Sequence, residues 1–248
     1  MSVKNPFLGL GFESTFRSFL KTGVIKNGLV MYLDAGDSRS YSGSGTTWTD
    51  LSGRGNNATL VNTPTFSSNN KGYFDFNGSN EAAAIADSDD FTFGAADNDF
   101  TLDFWGYMDA LPGSGSEYGM MTQRGFSSDN AVSIDWKNDG GTMRVNFGFG
   151  GAGSLTPVAT LPAEQWIYCA CGRRSGVFFV NINGTDIATF ANSNTINDST
   201  NTFYIGRNFF SSRYLNGRIA LARVYNHRSL SKTEVKQNYD SQKGRFNL

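Results

Sequence analysis

Along most of the chain, hydrophobic and polar residues alternate with a period of two. Phe100-Thr101-Leu102-Asp103-Phe104 places Phe100, Leu102 and Phe104 on one strand face and Thr101 and Asp103 on the other. Phe178, Val180 and Ile182 alternate up to Asn183-Gly184, after which Ile187 to Phe190 return. Asn-Gly between two such runs predicts a type I′ hairpin, because both turn residues need φ > 0. Leu29 to Leu33 is a compact apolar run, and Phe203 to Gly206 and Arg218 to Tyr225 read as late strands. Helical spacing occurs only near the two ends. Phe12, Phe16, Phe19 and Leu20 make the stripe of a short amphipathic helix. Ser231 and Glu234 form a capping box that opens a closing helix, with Val235 and Tyr239 one turn apart on its inner face. The pattern predicts an all-β, two-sheet antiparallel jelly-roll sandwich with one short C-terminal helix. The economical division is an N-terminal arm over 1–26 and one domain over 27–248.

Composition narrows the chemistry. In 248 residues, 17% are charged and 14% aromatic, with 29 Gly and 5 Pro, a balance suited to strands joined by tight turns. The net charge of −1 gives no electrostatic case for nucleic acid, and no apolar run is long enough for a membrane span. A single histidine, His227, precludes a two-histidine zinc site within one chain. Cys169 and Cys171 would lie side by side on one strand face, which suits two packed thiols better than a disulfide. Met1 to Leu20 carry Lys4, Glu13 and Arg17 and do not read as a signal peptide. Acidic residues dominate before residue 140 and basic ones after it, a polarity that favours head-to-tail contacts or dissolves if both sheets mix early and late strands.

The motif order resembles the laminin-G-like branch of the concanavalin A-like lectin/glucanase superfamily. The residues that carry the likeness are Gly28 to Asp34, Asp50-Leu51-Ser52-Gly53-Arg54-Gly55-Asn56-Asn57, Phe74 to Ser79, Trp166 to Tyr168, Val180 to Gly184, and the block from Phe203 to Ser231. A narrower similarity covers Tyr32 to Trp48 and Gln237 to Phe246, which resemble structural proteins of tailed bacteriophages. That resemblance implies a virion location, assembly in host cytoplasm, and partners among capsid or tail proteins and copies of the chain itself.

Three kinds of site were weighed. Glucanases on this fold use Glu pairs on one strand face; Glu13, Glu81, Glu117, Glu164 and Glu234 are far apart in sequence and none lies in that pattern. Asp99 and Asp103 share a face about 13 Å apart, too far for such a pair, and read as solvated carboxylates. No enzyme is expected. For calcium, which the resemblance implies at a sandwich rim, the candidates are Asp50 in its turn and Asp87, Asp89 and Asp90 in a second loop; the alternatives are an Asx turn and a solvated acidic loop. For carbohydrate, the candidates are Trp48, Phe209, Phe210, Arg213 and Tyr214, with Tyr118, Trp136, Arg124 and Arg207 beside them, against core packing as the alternative. Phe12, Phe16, Phe19 and Leu20 are the candidate anchor to a partner, against packing on their own domain. The expectation is a non-enzymatic virion surface protein of a tailed phage, in head decoration rather than tail or fibre, held by its arm and making weak glycan contacts. The second expectation is a calcium-assisted lectin module that recognises host-surface polysaccharide.

Overall fold

The computed structural model describes residues 23–93, 98–123, 132–150, 153–192, 194–196, 198–208 and 213–248. Among them, sixteen strands, numbered in chain order, form two antiparallel sheets. The first sheet holds β1 (Leu29–Asp34), β4 (Thr65–Ser67), β5 (Tyr73–Asn77), β7 (Phe100–Met108), β12 (Ile167–Arg174), β13 (Val177–Ile182), β14 (Thr185–Ala191) and β16 (Asn216–Tyr225). Its order is β14-β13-β12-β7-β16-β5-β4, with β1 also paired to β16. The second sheet holds β2 (Thr47–Trp48), β3 (Ala58–Val61), β6 (Ala82–Ile85), β8 (Glu117–Thr122), β9 (Val132–Asp139), β10 (Thr142–Phe149), β11 (Ser154–Leu155) and β15 (Phe203–Ile205). Its order is β11-β10-β9-β8-β15-β6-β3-β2. Both sheets mix early and late strands, so the charge polarity along the sequence does not become a polarity between sheets.

The alternation read from the sequence is what builds the core. Phe100, Leu102 and Phe104 of β7 face Ile134 and Trp136 of β9 and Val145 and Phe147 of β10 across the sandwich, all fully buried. Asn183 and Gly184 take φ of 51° and 83°, the two left-handed residues the β13–β14 turn requires. Cys169 and Cys171 are free, buried thiols on the core face of β12, with their sulfurs 4.0 Å apart.

Helix α1 (Lys232–Gln242) carries the expected capping box at Ser231 and Glu234. It lies over the outer face of the first sheet, where Tyr239 and Phe246 stack on Trp105 at 5.7 and 4.3 Å. That cover corrects the reading of Asp103 as solvated. Its side chain is fully buried and accepts from Arg223 Nε at 2.6 Å, Tyr168 OH at 2.9 Å and Asn238 Nδ2 at 3.0 Å. Burial therefore holds the Asp103–Arg223 pair against the back of the sandwich, where it has no access to a substrate. Ile25 joins the same layer, donating its N–H to Asn238 Oδ1 and accepting from Tyr225 OH. No helix of the described residues covers the outer face of the second sheet.

Candidate functional site

The outer face of the second sheet is built from the polar half of the alternation in β9 and β10. Asn146 of β10, Asp135 of β9 and Gly119 of β8 form one cross-strand row. Arg144, Lys137 and Glu117 form the next. Gly119 leaves no side chain in its row, and the backbone of Arg207 and Asn208 occupies that space. The segment that connects β15 to β16 thus folds back onto β8, tied by Gly119 N–H and Asn208 N–H donating to Arg213 C=O at 3.3 and 3.0 Å.

Beneath this seat two carboxylates meet. Asn208 Nδ2 donates to Glu117 Oε1 at 2.9 Å and to Asp135 Oδ1 at 2.6 Å, and Arg213 forms an ion pair with Glu117. Burial, followed by repulsion from Glu117, pushes the Asp135 carboxyl well above the usual carboxylate range. Sequence distance hid this pair: its members lie on adjacent strands rather than on one, and only the β8–β9 register brings them together. Both acid groups are covered by the seated segment, so they fix its base and do not face solvent.

On top of the seat stands an aromatic and cationic strip. Gly206, with φ of 80°, adds a left-handed residue after β15, so that Tyr204 and Arg207 fall on the same outer side while Ile205 and Leu215 point inward. The Arg207 guanidinium lies 4.6 Å from the Tyr204 ring centre and 5.4 Å from that of Tyr214, and Arg207 and Tyr214 are cross-strand partners. Tyr204, Arg207, Arg213 and Tyr214 are all half-buried, which leaves part of each in water. Aromatic rims and planar donors together suit a sugar: its C–H face packs on a ring while its hydroxyls accept from guanidinium groups.

Arg213 and Tyr214 of the candidate carbohydrate set are therefore brought together, with Arg207. Phe209 and Phe210, like Arg124, lie outside the described residues, as do the anchor candidates Phe12, Phe16, Phe19 and Leu20. Trp48 is corrected: it is fully buried and packs edge-on against Phe74 at 4.8 Å, because β2 turns it into the core. Trp136 is likewise fully buried, and Tyr118 packs partly against the core.

The acidic candidates for calcium, Asp50, Asp87, Asp89 and Asp90, differ in what they contact. Asp50 Oδ1 accepts from the N–H groups of Tyr32 and Ser52, and Oδ2 from Ser52 Oγ and the N–H groups of Gly55 and Asn56. Four of these hydrogen bonds come from its own turn and one from β1. Asp90 binds Arg54 through Nε and Nη2 and accepts from Asn56 Nδ2 at 2.8 Å. Burial raises the Asp90 carboxyl, but those bonds outweigh it and bring the group below the usual range. Asp87 and Asp89 are exposed, and Asp87 accepts from Gln123 Nε2 at 2.8 Å. Among the described residues no three acidic, histidine or cysteine side chains converge as a metal site would require.

Comparison with solved structures shows the fold. The binding domain of botulinum neurotoxin DC in complex with SialylT aligns with a TM-score of 0.67 at 12% identity, over 88% of this chain and 52% of that one. Trypanosoma rangeli sialidase in complex with sialic acid aligns with a TM-score of 0.63 at 18% identity, over 91% and 35%. Domain 4 of AbnA, an arabinanase from Geobacillus stearothermophilus in complex with arabinotriose, aligns with a TM-score of 0.61 at 15% identity, over 85% and 98%. The chain spans about half the length of the toxin binding domains it matches. No curated protein sequence matches it. A laminin-G-type sequence model, described as the concanavalin A-like lectin/glucanases superfamily, matches residues 77–236, from the end of β5 into α1. The chain belongs to that superfamily.

Proposed function

We propose that this jelly roll binds carbohydrate without cleaving it, through the outer face of the second sheet. The observation that carries the reading is the half-exposed Tyr204–Arg207–Tyr214 strip on an otherwise polar sheet, supported from below by the covered Glu117–Asn208–Asp135 cluster. Three structural relatives, described as bound to SialylT, sialic acid and arabinotriose, support the same direction. Catalysis has no part in this reading, because the close carboxylate pair is sealed under the seated segment and engaged by Asn208 and Arg213. Calcium has none either, since the carboxylates of Asp50 and Asp90 are already engaged. A glycan-array screen of the folded chain, run with calcium and again with a chelator, tests it. The expected result is binding to a defined polysaccharide class that the chelator leaves unchanged. No binding in either condition overturns the reading, and binding lost with the chelator overturns its calcium-free form.

The setting for such binding is a second part of the proposal: display on the surface of a tailed-phage particle, as head decoration rather than tail or fibre, with residues 1–26 as the attachment to capsid or tail proteins or to further copies. Its support is the likeness of residues 32–48 and 237–246 to such structural proteins. Deleting residues 1–22, which precede the packed Ile25, should leave glycan binding intact and abolish incorporation into particles. Normal decoration by the truncated chain contradicts this setting.

A further inference from the structure

Among the described residues, no carboxylate forms an ion pair with Arg207. Its guanidinium stacks between Tyr204 and Tyr214. Its Nε is buried and donates to no acceptor. The two acids that could have neutralised it are committed elsewhere: Glu117 to Arg213 and Asn208, Asp135 to Asn208. Lys137 stands opposite Glu117 in the strand register and adds a second cation without a carboxylate partner among the described residues.

The residues that follow Tyr204 across the sheet are small. Along the row through Tyr204 the neighbours are Thr122 of β8 and Ala84 of β6, then Thr59 of β3. Thr122 is buried, Ala84 half-buried and Thr59 exposed, so small side chains flank the Tyr204 ring along this row. A sugar ring packs one of its C–H faces on an aromatic ring of this kind. A planar guanidinium beside it presents paired N–H donors in the geometry a carboxylate accepts.

We propose that the ligand is an acidic glycan, and that Arg207 binds a sugar carboxylate while Tyr204 and Tyr214 pack on the ring that bears it. This rests on the carbohydrate-binding reading above and narrows it to one class of sugar. A neutral glycan offers the guanidinium only hydroxyl acceptors, whose hydrogen bonds are weaker than the charge-assisted pair a carboxylate makes, so the same contact favours an acidic ligand.

The test uses matched acidic and neutral probes on the full chain: sialyllactose against lactose, and oligogalacturonate against its methyl ester. The expected result is at least one pair in which the acid binds about tenfold or more tightly than its neutral partner, with the preference shrinking as salt is raised. Arg207→Gln should remove that preference, Arg207→Lys should keep part of it, and Tyr204→Ala should weaken acid and neutral probes alike. Thermal melts of each variant establish that it is folded. Equal binding of acid and neutral members, unmoved by Arg207→Gln, overturns the acidic-ligand inference and leaves carbohydrate binding standing. Binding of none of these probes, together with a blank glycan array, overturns both.

Discussion

Gly119 lies so close beneath Asn208 that a Cβ on it would stand 2.0 Å from the Asn208 backbone nitrogen. The seat of the β15–β16 segment is thus made by an absent side chain. Gly119→Ala should push that segment off β8, cost about 1–3 kcal/mol of stability from overpacking, and abolish glycan binding in a chain whose sandwich still folds. Denaturant unfolding and a binding titration on the same sample check both halves. A variant that binds as wild type does would show that the seat plays no part in recognition.

The acids under the seat give a pH dependence with a definite sign. The Asp135 carboxyl is raised by burial and then by Glu117, against the opposing effects of Asn208, Arg213 and Ser133, and Asn146 donates to its other oxygen. The folded chain therefore holds a proton there that the unfolded chain releases near its ordinary value of about 4. The stability tied to that proton is fully present below about pH 4 and is lost as pH rises from there through the raised folded value. Asp135→Asn removes this loss. Melting temperatures across pH 4 to 8 should show the variant gaining on wild type as pH rises. A difference that shrinks with pH contradicts the assignment.

The closed back of the sandwich predicts a different kind of sensitivity. Phe246 stacks on Trp105 at 4.3 Å and packs against Trp166 at 4.6 Å, and it is 5% exposed. Phe246→Ala should cost about 3–5 kcal/mol by leaving a cavity between the C-terminal turn and the first sheet. Glycan affinity, measured where the variant is folded, should not change, because that sheet faces away from the site. A loss of under 1 kcal/mol would mean the C-terminal turn is not part of the packed structure.

Asp103 makes a parallel case through charge. Replacing it by Ala leaves the fully buried Arg223 guanidinium without its counter-ion and should destabilise by about 3–5 kcal/mol. Arg223 Nη1 and Nη2 already have no hydrogen-bond acceptor, so no second partner is in place to take over. Chemical denaturation of Asp103→Ala decides it. A near-neutral result would mean water reaches the pair.

These contrasts show what the chain reveals in one dimension. The Asn183-Gly184 turn, the Ser231–Glu234 cap and the period-two core positions were legible, because each is a local rule read within a few residues. Arg213 and Tyr214 were also legible as members of a polar connection between strands. Asp103 was misread because its strand face, expected to meet water, is covered by α1, distant in sequence, and for Trp48 the alternative of core packing is the one realised. The Glu117–Asp135 pair was invisible because its closeness depends on the β8–β9 register and on Gly119, neither of which sequence spacing encodes. Arg207 is legible as a cation near the carbohydrate candidates, but its place beside Tyr204 depends on the left-handed turn at Gly206.

Sugar contact on the outer face of the second sheet, as proposed above, can be mapped residue by residue. Hydrogen-exchange mapping of the full chain, with and without the tightest-binding oligosaccharide from the array, tests it most directly. Protection should appear in β8, β15 and residues 207–214 and be absent from the polar cleft between Asp34–Ser38 and Gly244–Arg245. Protection confined to that cleft, or to the turn around Asp50, would contradict the account.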